Sequence, residues 1–327
     1  MGMHEHGRFK WPTTYDSCKI INDKNNFIRV YENVIIGNHE SRNVKCFNGT
    51  NLIITCTPHY FHYLKEYFAS FIYYKKTYDS SAKYLWIENA GYVYPKHQQM
   101  CDVCDWTMSF IANDCAGRFD LSSLHQSCLI IERLVVVFDG QAIIANYDEE
   151  FKDYTKTPGL NAELRYMFLE KAKYPKVKQD KIFISRRIVS EQLANWQFTN
   201  PEHDKWLKTQ ILLRYHEDWI EEEIENVFLE NGYAIIQPSG MPMDEQIGLF
   251  ASATHVAGLL GTGFYNGIFC KRGTKFTAIM INPKYWYPFE DDIGSLVDVE
   301  FKYIHMGGHL KDRKTVRKHL ETCMIES

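Results

Sequence analysis

Short apolar runs alternate with helix-length segments along this chain of 327 residues, and this alternation limits the fold more than any other feature of the sequence. Runs rich in β-branched residues predict strands, whereas apolar residues repeated every three or four positions predict amphipathic helices. In the first half, strands are predicted at residues 51–57, 83–90 and 128–138, with the clearest helix at 60–76. Strands that alternate with helices indicate a parallel sheet with helices on both faces.

The second half repeats this order. The segments "KIFISRR", "YAIIQPSG" and the apolar start of "HVAGLLGTGFYNGIF" predict strands. An acidic amphipathic helix closed by Gly232 and a helix over 243–253 separate them, and a basic amphipathic helix follows near the carboxyl terminus. We therefore expect a second parallel sheet.

Two such sheets predict an α/β protein with two Rossmann-like domains that face a cleft, and the length suits two domains of about 150 residues each. We expect an N-terminal domain at 1–170, a C-terminal domain at 171–305, and a helix within 306–327 that packs back on the body. In open α/β sheets, ligands bind beyond the carboxyl ends of the strands. Residues that directly follow the predicted strands are therefore the first candidates for a site.

The composition excludes several classes of protein. A formal net charge of −4 argues against binding to nucleic acid or to an anionic membrane through bulk charge. The N-terminal segment lacks the apolar core of a signal peptide, and no apolar run is long enough for a transmembrane segment. These features predict a cytoplasmic protein or an excised soluble catalytic domain.

Four residues of the types that ligate metal ions form two closely spaced pairs in the first half of the chain. A C-x2-C pair and an H-x2-C pair have the residue types of a tetrahedral zinc site. Reduced cysteines that flank a helix explain the same spacing, so both interpretations stay open. The residues are Cys101, Cys104, His125 and Cys128.

A glycine-rich turn follows the predicted strand that begins at His255. Gly261, Thr262 and Gly263 precede a short helix-like segment that contains Asn266. Glycines allow close backbone approach to a ligand, and N–H groups at the start of a helix favour anions. The turn lacks the third glycine of the dinucleotide fingerprint and the lysine of a P-loop. A phosphate cradle and a purely structural turn are both compatible with it.

Two further groups of polar residues lie near predicted strand ends or helix starts. Arg186 and Arg187 directly follow the strand of "KIFI", and the planar guanidinium group suits phosphate oxygens. Glu245 and Gln246 lie in the first turn of the helix over 243–253, within reach of a ribose, base or sugar. The alternatives are surface arginines and an acidic first turn that complements the helix dipole.

The helix over 60–76 carries a candidate catalytic pair. Phe61, Leu64, Phe68, Phe71 and Ile72 form its apolar stripe. His62 and Glu66, four residues apart, share another face. A carboxylate beside an imidazole suits general-base chemistry on a hydroxyl group, although a solvated helix face has the same pattern.

One motif is missing from the sequence. No Asp-x-Asp occurs in it, although such carboxylates commonly hold the Mg²⁺ or Mn²⁺ of a sugar-nucleotide site. We therefore expect no metal cofactor, and a pyrophosphate would depend on arginine and helix N–H groups.

Taken in order, these motifs resemble glycosyltransferase family 61, which includes plant β-1,2-xylosyltransferases, the EGF-domain O-GlcNAc transferase and capsular polysaccharide glycosyltransferases. The quoted motifs are "HYFHYLKE" in the first half, then "ISRR", "NGYAIIQP", "EQIGLFASA" and "VAGLLGTGFYNGIF". The resemblance covers roughly residues 60–283, with a poorly matched middle.

The resemblance implies a GT-B fold and an inverting, metal-independent transfer from a nucleotide sugar, usually a UDP-sugar. The transferred group would be a hexosyl or pentosyl unit, with xylose and N-acetylglucosamine as first candidates. The acceptor would be a glycan, a glycoprotein or a lipid-linked oligosaccharide. Glu66 would be the base, with His62 orienting it. The implied donor-binding residues are Arg186, Arg187, Glu245, Gln246, Gly261, Thr262, Gly263 and Asn266.

The sequence departs from the family pattern at three places. Leu260 stands where the family has a histidine, His59 stands where it has an asparagine, and residues 188–213 are additional. Trp196 and Trp206 in that segment would stack on acceptor sugars or pack within their own domain. The departures leave an alternative open, namely a catalytically inactive sugar-nucleotide or glycan-binding module of the same fold.

Overall fold

The computed structural model describes residues 13–23, 26–37, 40–55, 64, 68–88, 97–120, 126–138, 158–187, 218–281, 293–294 and 296–325. The chain divides into two compact units, Met1–Tyr166 and Met167–Ser327. Among these described residues, each unit contains one β-sheet, so the protein is a mixed α/β protein with two sheets rich in parallel strands. The sequence alone predicts the same fold class.

The first sheet has seven strands in the order β1-β3-β7-β4-β5-β6, with β2 paired to β3. The strands are β1 (Thr13–Thr14), β2 (Ser17–Asp23), β3 (Asn26–Gly37), β4 (Asn43–Thr55), β5 (Lys83–Glu88), β6 (Cys115–Asp120) and β7 (Ser127–Phe138). The helices are α1 (Ala69–Thr77), α2 (His97–Met108) and α3 (Pro158–Leu169), which ends in the second unit, and a short 3-10 helix is formed by Ala112–Asp114.

This first sheet contains both parallel and antiparallel pairs, whereas the alternation of strands and helices in the sequence predicts a parallel sheet. Strands β4, β5, β6 and β7 run parallel, but β1, β2 and β7 pair with β3 in the antiparallel sense. Only two residues separate β2 from β3, and a parallel pair requires a connection of a dozen residues or more. The alternating residues Ile28, Val30, Val34 and Ile36 are buried, which fixes one face of β3 toward the core.

The second sheet has five strands, all parallel, in the order β12-β11-β10-β8-β9. Its strands are β8 (Lys181–Ile184), β9 (Ala234–Ile236), β10 (His255–Leu259), β11 (Lys275–Met280) and β12 (Glu300–His305). Its helices are α4 (Asp218–Glu230), α5 (Met243–Ser252) and α6 (Arg313–Ile325), with 3-10 helices at Pro238–Gly240 and Thr262–Phe269.

One face of the second sheet packs against α4 and α6. Phe183, Ala257 and Ile279 from three strands form a buried cluster with Phe228 of α4 and Leu320 of α6. The carboxylate of Glu223, on α4, accepts from Nε of Arg317 at 2.7 Å and from Nη1 of Arg313 at 3.3 Å. The two helices are thus joined by ion pairs between a buried carboxylate and two partly exposed guanidinium groups. The carboxyl-terminal helix therefore packs on the second unit.

Helix α4 ends as the glycine in the sequence indicates. Gly232 has a φ of 81°, a left-handed conformation that favours glycine. The N–H of Tyr233 donates to the carbonyl of Phe228 at 3.0 Å, and that of Gly232 donates to Leu229 at 3.0 Å, which forms a Schellman motif. This turn leads the chain directly into β9.

Candidate functional site

Strands β8 and β10 are neighbours and run parallel, so the residues that follow them meet at one edge of the sheet. Arg186 follows β8, and its Nη1 donates to the carbonyl oxygen of Leu260 at 3.1 Å, directly after β10. The sequence motifs "ISRR" and "GLLGTG", separated by about 70 residues, are thus in contact.

Gly261 makes room for this arginine. A Cβ atom on Gly261 would lie 2.8 Å from Nη1 and 3.1 Å from Cζ of Arg186. Because the φ of Gly261 is 178°, any residue would accept the backbone conformation, and the requirement for glycine is one of space. A Cβ atom on Gly263 would lie 3.1 Å from Cγ2 of Ile184, so the second glycine allows the turn to approach β8.

The helix that follows the turn is firmly anchored. Thr262 is exposed at its first position, whereas Phe264, Tyr265, Ile268 and Phe269 are buried. The N–H of Phe264 donates to the carbonyl of Gly261 at 3.0 Å, which closes the first 3-10 turn. The structure therefore presents the amino end of a helix and a guanidinium group at the same strand end, a combination that suits an anion.

Asn266 and Gln246 lie beneath this turn and bind each other. Nδ2 of Asn266 donates to Oε1 of Gln246 at 3.3 Å, and Nε2 of Gln246 donates to the carbonyl of Met241 at 2.8 Å. Both side chains are buried, with exposed fractions of 1% and 4%. These contacts tie α5 to the helix Thr262–Phe269.

Glu245 differs from its neighbour Gln246. Its side chain is exposed on the first turn of α5, and its N–H donates to Oδ1 of Asp244 at 3.0 Å. Asp244 also pairs with Nζ of Lys173 at 2.6 Å. Of the two residues predicted to contact a nucleoside or a sugar, Glu245 has its carboxylate at the surface and Gln246 has its amide in the interior.

The two arginines after β8 have different partners. Nη1 of Arg187 forms an ion pair with Oε2 of Glu225, on α4, at 3.2 Å. This hydrogen bond raises the pKa of Arg187. Arg186 lies against the glycine turn, so the two neighbouring side chains point in different directions.

A second carboxylate of α4 binds the backbone at this point. Oε1 of Glu221 accepts the N–H of Arg186 at 2.6 Å. Burial raises the pKa of the Glu221 carboxyl, although the hydrogen bond from Arg186 opposes that shift. The sequence gives no signal for Glu221 and Glu225, because they belong to the run "EEEIE", which has the composition of a solvated helix face.

The predicted catalytic pair, His62 and Glu66, lies outside the described residues. The apolar stripe of the same segment is confirmed at three of its positions, since Leu64, Phe68 and Phe71 are fully buried. The additional residues 188–213 also lie outside the described part of the chain.

The predicted zinc ligands are only partly described. Cys104 on α2 and Cys128 on β7 are buried, whereas His125 and the side chain of Cys101 are outside the described residues. Among the side chains that are described, no group of three His, Cys, Asp or Glu is arranged to hold a metal ion. Within the same part of the chain, no helix has the length and hydropathy needed to cross a membrane.

Comparison with known families gives the class of the protein. Residues 215–277, which include α4, the glycine turn and the first residues of β11, match the family Glycosyltransferase 61. The protein is therefore a glycosyltransferase enzyme. The match supports membership of glycosyltransferase family 61, the family that the motifs resemble. No curated protein matches the chain.

Proposed function

We propose that this enzyme transfers a sugar from a nucleotide sugar to a hydroxyl group of a glycan, glycoprotein or lipid-linked acceptor, with inversion at the anomeric carbon and without a metal ion. The donor is a UDP-sugar, with xylose or N-acetylglucosamine as the first candidates. The observation that carries the proposal is the contact of Arg186 with the Leu260–Gly261 turn at the carboxyl edge of the parallel sheet.

The donor diphosphate lies, in this proposal, against the turn. The guanidinium of Arg186 donates to phosphate oxygens in a planar fork, and the N–H groups of Thr262 and Gly263 face the same anion. Asn266 and Gln246 support the turn from below through their mutual hydrogen bond. Glu245, exposed at the start of α5, is the residue placed to contact the nucleoside or the sugar.

Leu260 replaces the histidine of the family pattern without removing this arrangement. Its carbonyl accepts from Arg186, and its N–H donates to the carbonyl of Ile279 at 2.9 Å. Both bonds involve the backbone, so they do not depend on the side chain at this position. The substitution removes an imidazole from the donor site, and we expect it to alter donor preference rather than the reaction class.

The proposed reaction is a single displacement. Glu66, oriented by His62, takes the proton of the acceptor hydroxyl as its oxygen forms a bond to the anomeric carbon. The bond from that carbon to the phosphate oxygen breaks on the opposite face, and UDP leaves with the electron pair. Arg186 and the N–H groups of the turn stabilise the charge that develops on the departing phosphate. A GT-B arrangement, with the donor bound to the second unit, is part of this proposal.

A thermal-shift panel tests the donor assignment. UDP, GDP and CMP are each compared with and without EDTA, since a ligand at about 100 times its dissociation constant adds about 2.7 kcal/mol of stability. We expect UDP alone to raise the melting temperature, with no effect of EDTA. A shift that EDTA abolishes would contradict metal independence, and a shift with GDP or CMP alone would contradict the UDP assignment.

A second experiment tests the base. Glu66→Gln is expected to bind UDP as the wild type does and to lose donor hydrolysis and sugar transfer. Release of UDP from a panel of UDP-sugars measures this loss. Retention of full turnover by the variant would contradict the role of Glu66.

A further inference from the structure

Two buried carboxylates on α4 face the chain where it leaves β8. Glu221 and Glu225 are four residues apart, so they lie on the same face of the helix. Their exposed fractions are only 8% and 6%. Burial of a carboxylate is unfavourable unless a partner compensates, and each has one in the arginine pair Arg186–Arg187.

Glu221 binds the backbone of Arg186 rather than its side chain. The N–H of Ser185 still donates across the sheet, to the carbonyl of Ile236 at 2.8 Å. At the next residue, the N–H of Arg186 donates to the Glu221 carboxylate instead. This hydrogen bond fixes the chain direction directly after β8.

Glu225 binds the side chain of Arg187. Arg186 lies in the irregular segment directly after β8, whereas Arg187 has a helical conformation. The guanidinium of Arg186 contacts Leu260 and lies against Gly261, while that of Arg187 is held at α4.

We infer that Glu221 and Glu225 are positioning residues that give the two arginines different tasks. Glu221 fixes the backbone so that Arg186 is directed at the glycine turn, and Glu225 retains Arg187 on α4. In this inference, which depends on the proposed function, Arg186 contacts the donor diphosphate and Arg187 anchors the chain after β8 to α4. It departs from the expectation that both arginines bind the phosphates.

The charges favour a geometric role for the two carboxylates. Two carboxylates beside two guanidinium groups cancel the formal charge of the cluster, which weakens rather than strengthens attraction for a diphosphate. What Glu221 contributes is an acceptor in a fixed place. A glutamine at this position keeps the acceptor and removes the charge, whereas a leucine removes both.

Calorimetric titration of the full chain with UDP tests this inference. We expect Glu221→Leu to weaken binding about tenfold and Glu221→Gln to stay within about threefold of the wild type. Arg187→Ala is expected to lower the melting temperature and to leave the dissociation constant within about threefold, whereas Arg186→Ala is expected to weaken UDP binding by more than about tenfold. Glu223→Gln is the matched control, because Glu223 is buried on the same helix but pairs with Arg313 and Arg317.

Equal weakening by Glu221→Leu and Glu221→Gln would overturn the geometric role, as would equal losses from Arg186→Ala and Arg187→Ala. If Glu221→Leu does not fold, Glu221→Gln and Arg187→Ala still decide the question. Failure of the wild type to bind UDP is a different result, which would overturn the proposed donor together with this inference.

Discussion

Gly261 and Arg186 lie so close that a Cβ atom on the glycine would stand 2.8 Å from Nη1 of the arginine. Real Cβ atoms essentially never come within 3.0 Å of another heavy atom, so the guanidinium would have to move. A long, flexible side chain moves at little energetic cost, whereas its interaction with a bound anion depends on its position. We therefore expect a side chain at position 261 to affect anion binding more than the stability of the fold.

Gly261→Ala is expected to weaken UDP binding about tenfold while changing the free energy of unfolding by less than about 1 kcal/mol. The displaced guanidinium of Arg186 is the physical reason. Calorimetry and urea denaturation measure the two quantities. Gly307→Ala serves as the control, because its Cβ would meet nothing within 4 Å. A large loss of stability with unchanged affinity would contradict the assignment.

For the buried amide pair Asn266–Gln246 we expect the opposite of Gly261→Ala, namely a loss of stability with little change in UDP affinity. Asn266→Ala leaves Oε1 of Gln246 without the donor at 3.3 Å, which should cost about 1–3 kcal/mol of unfolding free energy. We expect UDP affinity of the folded variant to change much less than in Gly261→Ala. A variant with wild-type stability and lost UDP binding would show instead that Asn266 contacts the donor directly.

The ion pairs between α4 and α6 contribute to the stability of the second unit. Glu223→Gln removes the charge that binds Arg313 and Arg317, and we expect a loss of about 2 kcal/mol in urea denaturation. Glu230→Gln, at an exposed position beside the same Arg317, should cost much less than Glu223→Gln, because solvent screens an exposed ion pair. Equal losses from the two variants would contradict a special role for the buried carboxylate.

The pKa of Glu221 predicts a pH dependence. Burial raises this pKa above its ordinary value of 4.5, so the folded chain holds the proton to higher pH than the unfolded chain. The stability contributed by Glu221 is therefore greatest in acid and falls as the pH rises through the folded-state pKa. The free energy of unfolding of Glu221→Gln relative to the wild type should rise with pH.

Glu230→Gln should show the opposite slope. Its hydrogen bond with Arg317 lowers the pKa of Glu230, so its stabilisation is lost as the pH falls through the folded-state pKa. Urea denaturation of both variants and the wild type between acidic and neutral pH measures the two differences. A difference for Glu221→Gln that stays constant with pH would contradict the prediction.

Three strands of the second sheet, β8, β9 and β10, follow closely from the sequence because local patterns determine them. The apolar run "KIFI" forms β8, helix α4 ends at the turn containing Gly232, and α5 begins at Met243 as the periodicity predicts. Each of these signals lies within a few residues of the element that it specifies. The family motifs occur along the chain in the same order as these elements.

Two features are harder to predict from the sequence. They are the antiparallel strands β2 and β3 and the residues that bind Arg186 and Arg187. The alternation of Ile28, Val30, Val34 and Ile36 is a strand signal, but which strand pairs with β3 depends on contacts with β7, about a hundred residues later. In the same way, "EEEIE" has the composition of a solvated face. Only the packing of α4 beside β8 shows that Glu221 and Glu225 are buried against Arg186 and Arg187.

The most direct test of the donor site compares UDP, UMP and uridine in calorimetric titrations of the wild type and Arg186→Ala. Because Arg186 is assigned to the diphosphate, the wild type should prefer UDP over UMP, and the variant should lose that preference while its affinity for uridine is unchanged. If Arg186→Ala kept the same ratio of UDP to UMP affinity as the wild type, the diphosphate would not lie at the contact between Arg186 and Gly261.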